Sequence, residues 1–160
     1  FVYGGVLWAG GIFMLELFII PAVKAAGPEG GKMMGRITGT NNFATVMTLA
    51  ATFNVLAGLL LYWQDASGPG GFMSSVQGMA IGTGGILAII AYVIGLTVNR
   101  PSVIRMTKIG NEVAAAGGKP TDPQMAEMGK LRTKIFGGTK IMAWLLLITV
   151  VLMAVSRYLY

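Results

Sequence analysis

The side chains that ordinarily do chemistry are nearly missing from this sequence. It has no His and no Cys. That removes the usual ligands of haem, zinc, iron–sulfur clusters and type-1 copper, and every nucleophile arrangement built on His or Cys. Of the six acidic residues, Glu29, Asp65, Glu112, Asp122 and Glu127 fall in segments that read as connections. Only Glu16 lies inside a long apolar run. A lone carboxylate lacks the second acid, His or metal that acid–base chemistry needs, so no catalytic residue, metal site or cofactor is assigned and no enzyme is expected. The 11 Met residues carry thioethers, which are soft ligands for Cu(I). They are scattered over all depths, Met33 and Met34 at one side and Met73, Met79 and Met153 toward the other, so they read as packing filler.

Glu16 stands eight residues before Lys24, about 12 Å inside the end of its run at the helical rise. An ionisable group at that depth is by default a functional-site hypothesis. Its own helical face, with Gly5, Ala9, Ile12, Phe13 and Ile20, offers no partner. Counting depth from the ends of the other runs puts Thr48, Thr52, Tyr92 and Thr149 at a similar level, so an intramembrane polar cluster of these five residues is expected. Three readings stay open: interhelical glue, a proton or cation site on a path, or a contact to another protein, pigment or lipid. Asn54 and Gln77 read as further interhelical bonds.

The elements that position these residues follow from composition. The chain has 160 residues, 54% hydrophobic and only 11% charged, where a soluble domain carries about a quarter charged. Crossing a hydrocarbon core takes about 20 helical residues, and four apolar runs meet that length: 1–23, 43–63, 76–98 and 141–158. The first run opens on Phe1, so a few preceding residues are expected. Eleven of the twelve basic residues lie between the first and second runs or between the third and fourth. Those segments are therefore expected in the cytoplasm and both termini outside. Tyr3, Tyr62, Trp63, Phe72, Tyr158 and Tyr160 map to the outer interface. Basic charge placed by topology in this way does not indicate nucleic acid.

The segment 100–140 is long for a turn. Val103, Met106, Ile109 and Val113 recur at helical spacing, Gly117–Pro120 breaks the pattern, and Thr121-Asp122-Pro123-Gln124 reads as a helix start. A cytoplasmic helical hairpin extending spans three and four is expected. Arg100, Arg105, Lys108, Lys130, Arg132 and Lys134 make it a basic surface, facing anionic headgroups or docking an acidic partner. Helices in lipid associate through small residues. Gly78, Gly82, Gly84, Ala88, Ala91 and Gly95 give span three such surfaces, Ala44, Ala51 and Gly58 recur in span two, and Gly4 and Gly11 in span one. The fold expected is all-α: one transmembrane domain over 1–160, an antiparallel four-helix bundle.

Val6-Leu7-Trp8-Ala9-Gly10-Gly11 followed by Phe18-Ile19-Ile20-Pro21-Ala22 resembles the first helix of small bacterial membrane proteins of the copper-resistance protein D (CopD-like) superfamily. Ala25–Gly31 is similar to their first loop, Gly117–Thr121 to their second, and Leu152–Tyr158 to their ending. The resemblance implies a four-helix bacterial inner-membrane protein, with branches tied to copper uptake and haem-dependent oxidation. Members with those roles commonly place a His ahead of the Trp-x-Gly-Gly stretch, and this sequence has none. The function expected is a non-enzymatic accessory or scaffolding subunit of a membrane complex, with lipids and other membrane subunits as partners. The rival is a small cation transporter component, copper included, with Glu16 on the path. A cofactor-borrowing oxidoreductase comes third.

Overall fold

A computed structural model describes residues 2–40, 42–68 and 71–158. Phe1 and Tyr160, the latter expected in the outer aromatic belt, lie outside the described residues, as do the side chains of Lys32 and Arg157. The chain is all-helical, 92% helix with no strand among the described residues. The elements are α1 (Val2–Met14), a π turn (Leu15–Ile19), α2 (Ile20–Ala25), α3 (Gly27–Thr40), α4 (Phe43–Ala66), α5 (Val76–Ile94), a second π turn (Gly95–Asn99), α6 (Arg100–Ala115) and α7 (Asp122–Val155). Short 3-10 turns cover Phe72–Ser74 and Ser156–Tyr158. Among the described residues four stretches are long and apolar enough to cross a membrane: Tyr3–Ala25, Phe43–Ala66, Val76–Ala115 and Asp122–Val155.

Local chemistry sets the ends. Ser75 caps α5 by accepting from the Gly78 N–H at 3.0 Å. Thr121 precedes α7, and its backbone N–H donates to Gln124 Oε1 at 3.0 Å, half of the capping box that the sequence spells out. After α6 the Gly118 N–H closes back on the Val113 carbonyl at 2.9 Å with Gly117 at φ 92°. That six-to-one closure needs a left-handed residue, which glycine supplies without strain.

Both π turns stand two residues ahead of a proline, Pro21 and Pro101. In a regular helix a proline ring collides with the carbonyl four residues back. Here the turn widens instead: the Ile20 N–H bonds to the Leu15 carbonyl and the Arg100 N–H to the Gly95 carbonyl, each a five-residue step. The extra residue re-aims the helix face. Buried Trp8, Ile12, Leu15, Ile20 and Val23 follow helical steps of three and four except from Leu15 to Ile20, where the step is five. The bulge thus keeps one stripe buried across the whole first span.

Trp8, Ile12, Ala50, Ala51, Ala91, Met142, Ala143 and Leu146 form the core. The small residues admit close helix approach. A Cβ on Gly11 would strike Met47 of α4, one on Gly82 would meet Tyr62 Oη at 3.0 Å, and one on Gly95 would meet Met142 Cε at 3.3 Å. Gly84 lies against Thr149 and Met153 of α7, Ala91 is fully buried and half-buried Ala88 packs on the core. Gly78 differs from its expected interhelical use. It presses on the Phe72 carbonyl just before its own helix, because the Ser75 cap folds the chain back there. Outside the core, Leu17, Phe18, Phe53, Leu60, Trp63, Ile86 and Trp144 are exposed. The total surface of 10153 Å² is about a third above the roughly 7,600 Å² of a compact soluble chain of this mass, and its large apolar share fits contact with hydrocarbon.

One expectation is corrected. The segment between the first two spans is the helix α3, not a loop; Gly30 lets it fold onto α2, since a Cβ there would collide with the Val23 backbone. The fourth apolar run is the second half of one 34-residue helix that runs through Gly137 and Gly138.

Candidate functional site

Glu16 sits within the first π turn, beside buried Leu15. Its side chain is half-buried, and the next two residues, Leu17 and Phe18, are exposed. Oε2 is buried without a hydrogen-bond partner. The residues expected around it have other engagements. Thr48 donates to the Ala44 carbonyl of its own helix at 2.7 Å. Thr52 and Tyr92 share a hydroxyl–hydroxyl bond of 2.8 Å, and Tyr92 stands edge-on to Trp8 with ring centroids 6.4 Å apart. Thr149 donates to the Gly84 carbonyl of α5 at 3.1 Å and to Leu145 at 2.9 Å.

These contacts fix relative depth. Glu16 lies eight residues beyond Trp8, while Gly84 lies eight residues from Tyr92 in the opposite direction. Glu16 and Thr149 are therefore separated by about 24 Å along the helices. The expected five-residue cluster resolves into a Thr52–Tyr92 pair under Trp8, a Thr149–Gly84 clamp, and Glu16 by itself. Depth counted from the ends of apolar runs fails here because α7 begins nineteen residues before its apolar run does.

A second polar centre has little sequence signal. Asn99 closes the other π turn, and its Nδ2 donates to Thr139 Oγ1 at 3.1 Å and to Met142 Sδ at 3.4 Å. Its Oδ1 is buried without a hydrogen-bond partner and points at Gly138, where a Cβ would collide with it. The only hint was an Asn at the seam between apolar and basic sequence, just ahead of Pro101. Asn54 packs against Gly4 and Gly5 of α1, and its Oδ1 makes no interhelical bond.

Between the two π turns lies a cavity of about 90 Å³, lined from all four spans. Trp8, Ala51 and Tyr92 bound one end; Met34, Phe43, Arg100, Val103 and Ile135 bound the other. Glu16 does not line it.

The basic residues divide by environment. Arg105 is paired: its Nε and Nη2 donate to the two Glu127 oxygens at 2.7 and 3.2 Å. The hydrogen bond from Arg105, reinforced by its charge, holds the Glu127 carboxyl below its usual range, and the same bond to Glu127 raises the Arg105 guanidinium. Arg132 is half-buried, its guanidinium pressed on Gly31 of α3. Lys24 stands 5.1 Å over the Phe136 ring. Arg100, Lys108, Lys130 and Lys134 are exposed.

No protein-family model, curated protein or solved structure matches this chain. Among the described residues no group of three or more His, Cys, Asp or Glu side chains is placed to hold a metal.

Proposed function

We propose that this chain is a non-enzymatic accessory or scaffolding subunit of a larger membrane assembly in the bacterial inner membrane, and that Glu16 is where its first span meets a partner. The carrying observation is the Glu16 carboxylate, half-buried at membrane depth with its Oε2 unpartnered. A polar group left unsatisfied in hydrocarbon costs several kcal/mol. Among the described residues no donor meets Oε2, and the adjoining Leu17 and Phe18 are exposed, so this stretch of the first span lies at the outside of the bundle, where a neighbouring subunit would pack.

The bundle is antiparallel in this reading. Gly84–Thr149, Asn99–Thr139 and Arg105–Glu127 pair in opposite chain order, and continuing that order past Arg105 makes α6 and the start of α7 a hairpin. The clustering of basic residues supports a cytoplasmic hairpin and termini on the other side, with Lys108, Lys130 and Lys134 near anionic headgroups. Kinship to the CopD-like superfamily is a proposal of architecture alone, since the sequence has no His. The rival, a small cation transporter with Glu16 on its path, draws less support because Glu16 does not line the cavity among the spans.

The test is Glu16→Gln and Glu16→Ala in native membranes, read by migration after gentle detergent extraction. Wild type should travel in a larger complex, with both variants expressed normally but released as free chain. Wild type migrating alone would overturn the subunit reading. Cation flux in vesicles of purified chain, lost in Glu16→Gln, would establish the rival.

A further inference from the structure

We infer that the cavity among the four spans holds the headgroup-proximal part of one acyl chain of an anionic phospholipid whose headgroup rests against Arg100. This rests on the membrane placement proposed above but not on any role for Glu16. At about 90 Å³ the space is several times the ~10–15 Å³ that one water occupies. A buried water needs two to four polar partners, and the lining is nearly committed. Asn99 Nδ2 is already bonded to Thr139 and Met142 and its unpartnered Oδ1 is turned onto Gly138, while Thr48 is bonded to its own helix. What faces the space is Ile12, Leu15, Met47 and Leu96. Such a void, opening within a bilayer, takes hydrocarbon.

Its two ends differ. One is closed by the edge-on pair of Trp8 and Tyr92, with Tyr92 held in place by Thr52 at 2.8 Å. At the other, eight residues and about 12 Å away, stands Arg100. Among the described residues Arg100 has no ion pair or hydrogen bond, whereas Arg105 is taken by Glu127. More positive charge gathers nearby. Lys24 lies over Phe136, next to the lining residue Ile135, and Arg132 presses on Gly31 of the helix that supplies Met34. An apolar sleeve with a guanidinium unpaired among the described residues at its mouth complements a tail joined to an anionic head, and a zwitterionic head, whose own cation offsets its phosphate, complements it less well.

Trp8 provides the readout. With Trp63→Phe and Trp144→Phe, both exposed positions, Trp8 is the sole Trp. The purified chain is placed in vesicles of phosphatidylcholine carrying a minor fraction of acyl-brominated phosphatidylglycerol, and in the reverse mixture. Bromine quenches indole only on contact, so loss of Trp8 emission reports a chain inside the cavity. Brominated phosphatidylglycerol should quench at about fivefold lower fraction than brominated phosphatidylcholine, the worth of one basic residue near an anionic lipid. Arg100→Gln should erase that preference, and Ala44→Phe, filling the lining, should erase the quenching. No quenching of Trp8, or equal quenching by both lipids in the parent, overturns the inference. Should the Trp variants not fold, lipid phosphate retained through detergent exchange by wild type, and lost in Arg100→Gln, reads the same site; equal retention overturns it. The vesicles hold no second protein, so the outcome is independent of the subunit reading.

Discussion

Gly137 and Gly138 are neighbours in α7 with opposite surroundings, and they show how sharply single positions are determined in this molecule. Nothing lies within 4 Å of a Cβ built on Gly137, while one built on Gly138 collides with Asn99 Oδ1. Gly137→Ala should therefore be neutral or stabilise by up to about 1 kcal/mol, the helix-propensity difference. Gly138→Ala should destabilise by about 1–3 kcal/mol, since Asn99 is pinned by Thr139 and Met142 and cannot step aside freely. Unfolding in mixed micelles with increasing dodecyl sulfate checks both, and equal behaviour of the two variants would remove Asn99 from the packing account. The sequence presents the pair as one Gly-Gly break. Which glycine matters depends on a residue about 40 positions away, and no local pattern carries that.

The elements most legible beforehand were those whose signals are local: the Thr121–Gln124 helix start, the Gly117–Gly118 stop and the apolar runs themselves. The π turns were not, although each precedes a proline, because a proline after an apolar run reads equally as the end of a helix. Their function as one-residue insertions is testable. Deleting exposed Thr97 together with Pro101→Ala should convert the second π turn into ordinary helix, leave the Arg100 N–H bonded to the Gly95 carbonyl, and keep the flanking faces in register. Deleting Leu87, where the ladder is already regular, rotates everything beyond it by about 100° and should abolish folding; extraction as a monodisperse species distinguishes the two. The contact between α6 and α7 also has a pH signature. Glu127 is held below its ordinary 4.5 by Arg105, so its contribution is complete above that ordinary value and is lost as pH falls through the depressed one. Arg105, shifted upward by the same pair, stays charged throughout. Amide protection over α6 and the start of α7, taken relative to the intrinsic exchange rate at each pH, should fall on acidification below pH 4.5, and Glu127→Gln should show the lower protection at neutral pH with that acid step gone.

For the whole molecule, hydropathy decided what a lipid-bathed chain decides early: four long helices and small residues between them. It misjudged depth, because α7 and the α5–α6 helix run past the apolar boundary, and a residue's distance from the end of an apolar run is then not its distance along the bundle. The side of the membrane rests on charge alone. Lys and Arg are far costlier to move across the bilayer than to leave behind, and the link between α4 and α5 carries none among Gln64–Ser75 whereas the α6–α7 region carries several. The chain has no Cys, so single cysteines can be placed without background. In the orientation proposed, Gly68→Cys and Tyr158→Cys, both at exposed positions, should react in intact cells with a thiol reagent that does not cross the membrane. Lys119→Cys, at the exposed tip between α6 and α7, should react only after the membrane is opened. Labelling of Lys119→Cys in intact cells would reverse the orientation. Labelling of Gly68→Cys and Lys119→Cys from the same side would break the four-span topology itself, because the helix from Val76 to Ala115 joins those two positions by a single crossing.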